Sequence, residues 1–362
     1  MISAGRHQCA SCRVCREQTE DYLTCAPPQC SFCVMAALFD LGYEPSEYRS
    51  ERSSYRGTSI QAFHARFPDD EACLAHVFRT RFGANPACTR CSKPGLWYRI
   101  AGTKRFQHPC GQGIWPLTGT IFEHSKIPLQ LWFYAMLHFA NSASGVPTNF
   151  LGRHLGVSHK AAYRMADRIR LHMAALDLEA CVGKRGKPVE IRIEYLVGMR
   201  TRGYPVRGSA KAVLVADHHT VQTTLIGRAR RHVLRKIIAD KFARGAVPVT
   251  TCSYTHALLT EFGTRRSSAA LVDKFVDPST GTNPIHSFLN YAKRPMHDVY
   301  RRVDYTNLWK YLKELEFSFN RRWRSHEIFS DLVGAFPELS PDRCRELEAW
   351  SSRSNVAGGA SG

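Results

Sequence analysis

The chain has 362 residues, 44% apolar and 22% charged, an ordinary globular composition with room for two or three domains and none of the bias of a disordered or fibrous chain. Lys and Arg number 50 against 31 Asp and Glu, a formal charge of +19. Such a surplus points to a polyanionic partner, because each phosphate neutralised by a cation releases condensed counterions, and no stretch approaches the roughly 18 uninterrupted apolar residues of a membrane span.

Residues 1–58 carry six basic and seven acidic groups, which leaves +20 on the remainder. Six cysteines fall here, in CASCRVC (Cys9, Cys12, Cys15) and CAPPQCSFC (Cys25, Cys30, Cys33). Paired thiolates on tight knuckles suit zinc, but the spacing is irregular, and an unstructured extension is an equally open reading. The first thirty residues lack an apolar h-region and so do not read as a signal peptide. A cytoplasmic, nucleoid-associated protein with reduced thiols is expected.

From Ile60, Phe63, Phe67, Cys73, Leu74, Val77 and Phe78 recur at helical spacing, with Asp69, Asp70 and Glu71 where a helix dipole favours acids. A CTRC pair, Cys88 and Cys91, is followed by a short strand at Trp97 and Tyr98 and by HPCG ending at Cys110. Cys pairs on facing hairpins are how a zinc ribbon substitutes metal bonds for a core too small to hold itself.

Pro128 to Asn141 is largely apolar and reads as a buried helix. Thr148 to Leu155, then Gly156-Val157-Ser158, then His159 to Met173 reads as helix, tight turn and helix, with Ser158 as N-cap. The second helix is expected to turn Lys160, Arg164, Arg168 and Arg170 outward while Ala161, Ala162, Met165 and Ile169 pack inward. That is helix-turn-helix punctuation, and a three-helix core with a solvated basic face is the alternative.

A Gly/Lys/Arg linker at 177–187 opens the last domain, 188–340. Strands are predicted at Val189 to Val197, Ala210 to Ala216, Val221 to Ile226 and Val247 to Cys252, with a helix from Arg230 to Arg244 before the fourth. A short helix from Thr255 to Phe262 and a weak strand near Leu271 follow. Two helices close the unit, the second with apolar Leu308, Tyr311, Leu312, Leu315 and Phe319. Residues 341–362 read as a short charged helix and a tail. The fold class expected is α+β and multidomain: zinc ribbon at 59–125, helix-turn-helix at 126–176, and a C-terminal α/β domain whose order, three strands, helix, strand, then helices, is ribonuclease-H-like.

Within the last part, Thr282, Asn283, Phe288, Lys293, Arg294, Tyr311, Phe317, Asn320, Arg321 and Arg322 stand in an order that resembles the zinc-ribbon DDE insertion-sequence transposases, the ISXO-like group also called the IS fifteen-ninety-five family. Gly119 to Phe122 matches that family's Gly-Thr step, and the resemblance covers about residues 60 to 340. It implies structural zinc, double-stranded DNA carrying terminal inverted repeats as partner, a homo-oligomeric state left open, and cut-and-join chemistry on two magnesium or manganese ions held by three acids. Counting back from Gly119, Cys110 takes the last ribbon position and Gln107 the third, so His108, one residue away, is the substitute expected to complete a site with Cys88, Cys91 and Cys110.

The acids are missing. Arg192 stands at the first-strand position, Cys252 or Ser253 after the fourth strand, and His286 on the late helix. Two hard divalent ions need oxygen ligands, and Arg192 fixes a permanent cation where a cation must bind. By alternation Glu190 and Glu194 share its strand face and are expected to pair with it. Loss of strand transfer is therefore expected, with Lys293, Arg294, Arg301 and Arg302 still able to track phosphates. The alternatives are an active transposase with displaced acids at Glu190, Glu194 or Asp217, or a poorly folding pseudogene product. A soft metal site at Cys252 and His286 would have only two ligands.

Overall fold

The computed structural model describes residues 57–178, 180–197, 201–202, 209–227, 229–250, 255–257, 265–266, 283–300 and 303–353. The chain divides into two units, Met1–Ser54 and Tyr55–Gly362, and all the described residues belong to the second. The cysteines of the first unit lie outside the described residues, as do Cys252, Arg301 and Arg302 and the strand expected near Leu271.

The second unit is mixed α/β. It opens with α1 (Ile60–Arg66), capped by Ser59, and α2 (Asp70–Phe82), capped by Asp69, whose carboxylate accepts from Ala72 N at 2.7 Å. The single apolar period seen in the sequence is thus two helices, broken where Pro68 biases Phe67 away from helical backbone. A three-stranded ribbon follows: β1 (Tyr98–Arg99), β2 (Phe106–Gln107) and β3 (Gly113–Ile114), antiparallel in that order.

Next come α3 (Leu129–Asn141), α4 (Thr148–Leu155) and α5 (His159–Leu176). Gly156 closes α4 with φ +64°, a left-handed conformation that favours glycine. Ser158 caps α5 by accepting from Ala161 N. One core joins α1 to α5 through Phe63, Phe133, Leu151, Met165 and Ile169. Phe329 and Leu332, on the late helix α9 (Ile328–Gly334), are buried in that core.

The main sheet contains β4 (Pro188–Val197), β6 (Ser209–Ala216), β7 (Val221–Ile226), β8 (Val247–Thr250), β9 (Arg265–Arg266) and β11 (Ser352–Arg353), in the order β11-β7-β6-β4-β8-β9. Central β4 and β6 pair antiparallel over eight residues, β6 and β7 antiparallel over six, and β8 runs parallel to β4. A small parallel pair joins β5 (Thr201–Arg202) to β10 (Val303–Asp304). Helix α6 (Arg231–Lys241) covers one sheet face through Leu234 and Ile237 against Val189, Ile191 and Val213. It ends earlier than the sequence pattern suggests, at Phe242, which turns into a bridge with Val182.

The opposite face is covered by α7 (Pro284–Arg294), continued by a π turn at Pro295–Val299, and by α8 (Tyr305–Asn320). The apolar positions Leu308, Tyr311, Leu312, Leu315 and Phe319 are all buried there, as their spacing predicts. After α9 comes α10 (Pro341–Ser351). This segment is more than the charged tail expected: Leu347 is fully buried in the core under α8, and β11 adds a strand beside β7. The linker is likewise stitched in, since Val182 N donates to Lys241 O and its carbonyl accepts from Ala243 N.

Candidate metal centre and nucleic-acid interface

Two knuckles of the ribbon bring Cys88, Cys91, His108 and Cys110 together, with donor atoms all within 4.8 Å of one another. The first knuckle is closed by Cys88 N donating to Lys93 O and Ser92 N to Cys88 O. The second is closed by His108 N to Gln112 O, with Gly111 at φ +90° turning the chain. Cys88 Sγ lies 3.4 Å from Cys110 Sγ, and His108 Nδ1 lies 3.2 Å from Cys110 Sγ and 3.6 Å from Cys91 Sγ.

Tetrahedral zinc with bonds of about 2.3 Å to sulfur and about 2.0 Å to nitrogen places neighbouring donors roughly 3.5–3.8 Å apart. The donor set therefore fits zinc bound through His108 Nδ1, with one separation inside that range and two up to a few tenths of an ångström shorter. A sulfur separation of 3.4 Å is also far beyond a disulfide of about 2.05 Å, in keeping with free thiols. Burial opposes ionisation of Cys88, but the amide groups of Cys91 and Arg90 outweigh it and hold its thiol below the ordinary value. Gln107, the position indicated by register, sits on β2 opposite Tyr98 and Gly113 instead.

Of the positions where the resemblance expects acids, Arg192 lies on central β4 and His286 on α7, while Cys252 is outside the described residues. Arg192, on β4, is one-fifth exposed; its Nη2 donates to Glu190 Oε1 at 3.1 Å and its Nη1 to Glu194 Oε1 at 3.4 Å. The pairing expected from strand alternation is present. Asn283, the N-cap of α7, donates its amide to the other oxygen of the buried Glu190. The start of α7 thereby meets β4, and His286, in its first turn, is exposed.

Asp217 is held in a turn, its Oδ1 accepting from His219 N and Thr220 N and its Oδ2 from Gly183 N. Among the described residues the ribbon cluster is the only set of three or more ligating groups close enough to share an ion. The carboxylates flanking Arg192 on β4, Glu190 and Glu194, both hold its guanidinium.

The family-like Asn320-Arg321-Arg322 run is structural in this chain. Asn320 exchanges two hydrogen bonds with Val221, extending the edge of β7. Arg321 grips Asp177 with two bonds of 2.7 and 2.9 Å and donates through Nε to Asp331.

On α4, α5 and the turn between them, Lys160 and Arg164 are exposed, as are Arg153, His154, His159 and Tyr163. A depression of about 570 Å³ lies between the helices, lined by Asn149, Gly152, Arg153, Gly156, Val157 and His159. Arg153 and Tyr163 were not singled out by sequence; an exposed aromatic on an amphipathic helix looks like a core position until its face is known. Arg168 turns back instead, its Nη1 donating to Ile121 O at 2.8 Å and Glu123 O at 2.7 Å. Arg170, expected outward, is buried against Glu314 of α8. The reason is register: α5 continues to Leu176, and its C-terminal half packs on α8, so the twelfth residue of the helix faces the interior. On α7, Lys293 and Arg294 are exposed, Arg294 standing 4.0 Å from Asp298.

No protein-family model matches the chain, and no curated protein is similar to it. Among solved structures it is similar to the crystal structure of a pre-cleavage Mos1 transpososome, at 12% identity and a TM-score of 0.22, over 55% of this chain and 76% of that one.

Proposed function

We propose that the protein is a transposase-like, zinc-dependent DNA-binding protein that engages duplex DNA through its helix-turn-helix and does not cut or join strands. The architecture that supports this is a ribonuclease-H-like order of three antiparallel strands, a helix, a parallel strand and covering helices, preceded by a metal-ready ribbon and the α4–α5 turn. Lys160, Arg164, Lys293 and Arg294 supply phosphate contacts, which need no metal, and Arg301 and Arg302 are proposed to add to them.

The observation that carries the loss of chemistry is the Glu190–Arg192–Glu194 triad on β4. At that place a two-metal mechanism needs carboxylates open to cations. Here Arg192 pairs with both and cancels one of their two charges, and Asn283 takes up the remaining oxygen of Glu190.

The test is strand cleavage and joining by the purified protein, with Mg²⁺ or Mn²⁺, on DNA spanning the inverted repeats that flank its own gene. A mobility shift on the same DNA is run in parallel. Binding without nicking supports the proposal. Metal-dependent nicking by the unaltered protein overturns it, and variants at Glu190, Glu194 and Asp217 would then locate the displaced acids. Arg192→Asp, Cys252→Asp and His286→Glu together restore the family's carboxylates and show whether the scaffold still supports the reaction.

A further inference from the structure

The outer face of the ribbon sheet is built unlike a covering surface. Its register puts Tyr98, Gln107 and Gly113 in one row, and two residues on, past the row of Phe106 and Ile114, Arg105 lies beside Trp115. The alternate residues Phe106 and Ile114 turn inward to the core. Tyr98 is 46% exposed and Trp115 54%, so two large rings project into solvent from one small sheet. By strand spacing and rise they stand about 12 Å apart, far enough to take separate bases.

The rings are held, not loose. The Arg105 guanidinium lies over the Trp115 ring, 4.8 Å from its centroid. Gly113 makes that possible: a Cβ there would fall 2.2 Å from Arg105 Nε. Pro116, next to Trp115, is anchored by Arg81, whose Nη1 donates to its carbonyl at 2.6 Å. A cation stacked on one side of an indole that stays half exposed is poised to sandwich a planar π system.

Charge selects the occupant. From Gly83 to Phe122 the sequence contains Arg90, Lys93, Arg99, Lys104 and Arg105 and no Asp or Glu. An exposed aromatic sheet face would serve an apolar protein partner equally well, but a segment with five cations and no acid of its own, of which, among the described residues, only Arg99 pairs with an acid from outside it, Glu71, favours a polyanion whose bases are free to stack. Duplex DNA hides its base faces and would use only the cations.

We infer that the Tyr98–Arg105–Trp115 face is a stacking platform for single-stranded DNA. It is distinct from the α4–α5 duplex interface proposed above and shares no residue with it. A protein reading the ends of a DNA element would thereby hold a frayed or displaced strand beside the duplex it grips.

The experiment uses the zinc-loaded full chain and follows fluorescence anisotropy of a labelled oligothymidylate and, separately, of a labelled duplex. Tyr98→Ala and Trp115→Ala are each expected to weaken oligothymidylate binding about tenfold, as loss of one stacked base does, with duplex affinity and zinc content unchanged. Trp115→Phe, which keeps a ring, should restore most of the loss. Lys160→Ala with Arg164→Ala should do the reverse, weakening duplex binding alone. If both alanine variants bind oligothymidylate like the unaltered protein, or lose single strand and duplex alike, the platform is refuted. If the unaltered chain binds no duplex yet shows ring-dependent oligothymidylate binding, the platform stands and the helix-turn-helix reading falls.

Discussion

Arg170 on α5 and Glu314 on α8 meet at 2.6 Å with side chains only 1% and 4% exposed, which makes them a buried ion pair between the helix-turn-helix and the helices over the sheet. Tyr300 O–H donates to the other Glu314 oxygen at 2.5 Å while its own oxygen accepts from Val146 N, and the guanidinium lies 4.0 Å from the Tyr311 centroid. Burial opposes the charge on Arg170, but Glu314 and Tyr300 outweigh it and hold the guanidinium charged, while burial and Glu314 push the Tyr300 hydroxyl well above its ordinary value. Removing one partner strands the other charge, at about 3–5 kcal/mol. Glu314→Ala should therefore lower the urea midpoint steeply, whereas Arg170→Met with Glu314→Leu should recover much of the loss. A double variant as unstable as the single one would show that the pair itself, beyond satisfying its own charges, is required.

His172 gives the fold a dependence on acid. It is fully buried, stacked on Phe336, and its Nε2–H donates to Leu332 O at 2.8 Å, so Nε2 carries the proton of a neutral ring. Burial pushes its pKa down to about 4 from 6.5. The folded state thus binds fewer protons than the unfolded one between those values. Stability contributed by the neutral ring is complete above pH 6.5 and falls by about 1.4 kcal/mol per pH unit as the pH drops towards 4. His138 and His76 are pushed down by burial in the same direction. Urea titrations from pH 7.5 to 4.5 should show this slope, and His172→Gln should flatten it; an unchanged slope would move the effect to the other histidines.

Zinc removal should unfold the ribbon first. The ribbon's strands are two residues each, so the knuckles depend on metal bonds for most of their order. The ribbon is expected to contribute one zinc per chain, counted apart from any metal held by the cysteines of residues 1–58, and cobalt substitution should give the charge-transfer bands of a three-sulfur, one-nitrogen site. His108→Cys should keep the metal, since a thiolate replaces the imidazole at the same knuckle, whereas Cys88→Ser should lose it. Retention of stoichiometric zinc by Cys88→Ser would mean that this cluster is not the site.

Local grammar carried much of this fold into the sequence. Gly156 and Ser158 announce the turn between α4 and α5, and the period-two runs mark β4, β6 and β7 to within a residue. Period two also put Glu190 and Glu194 beside Arg192. What stayed hidden depends on partners far along the chain. Charge on Arg170 reads as solvent-facing because nothing local reveals Glu314, 144 residues away. The charged pattern of α10 hides Leu347, and no short-range signal sends Asn283 to Glu190, 93 residues away. Likewise Phe329 enters the N-terminal core from the other end of the sequence. The ribbon ligand set was legible only once His108 was allowed to replace a register position that points outward.

Four residues apart on α5, Arg164 and Arg168 should separate binding from stability. Arg164 is exposed beside Lys160 and Tyr163, and its loss is expected to leave the fold unchanged. As a phosphate contact it should weaken duplex binding uniformly across sequences and reduce the slope of log affinity against log salt by about one. Arg168 bridges the carbonyls of Ile121 and Glu123 and so ties the turn after the ribbon to α5. Arg168→Ala removes two charge-assisted bonds and leaves those carbonyls without it, at about 1.5–3 kcal/mol for each bond. Its duplex affinity, measured well below the unfolding midpoint, should keep the wild-type salt slope. If Arg164→Ala destabilises the chain while Arg168→Ala changes the salt slope, the two roles are exchanged and the recognition face of α5 lies one turn nearer its C-terminus.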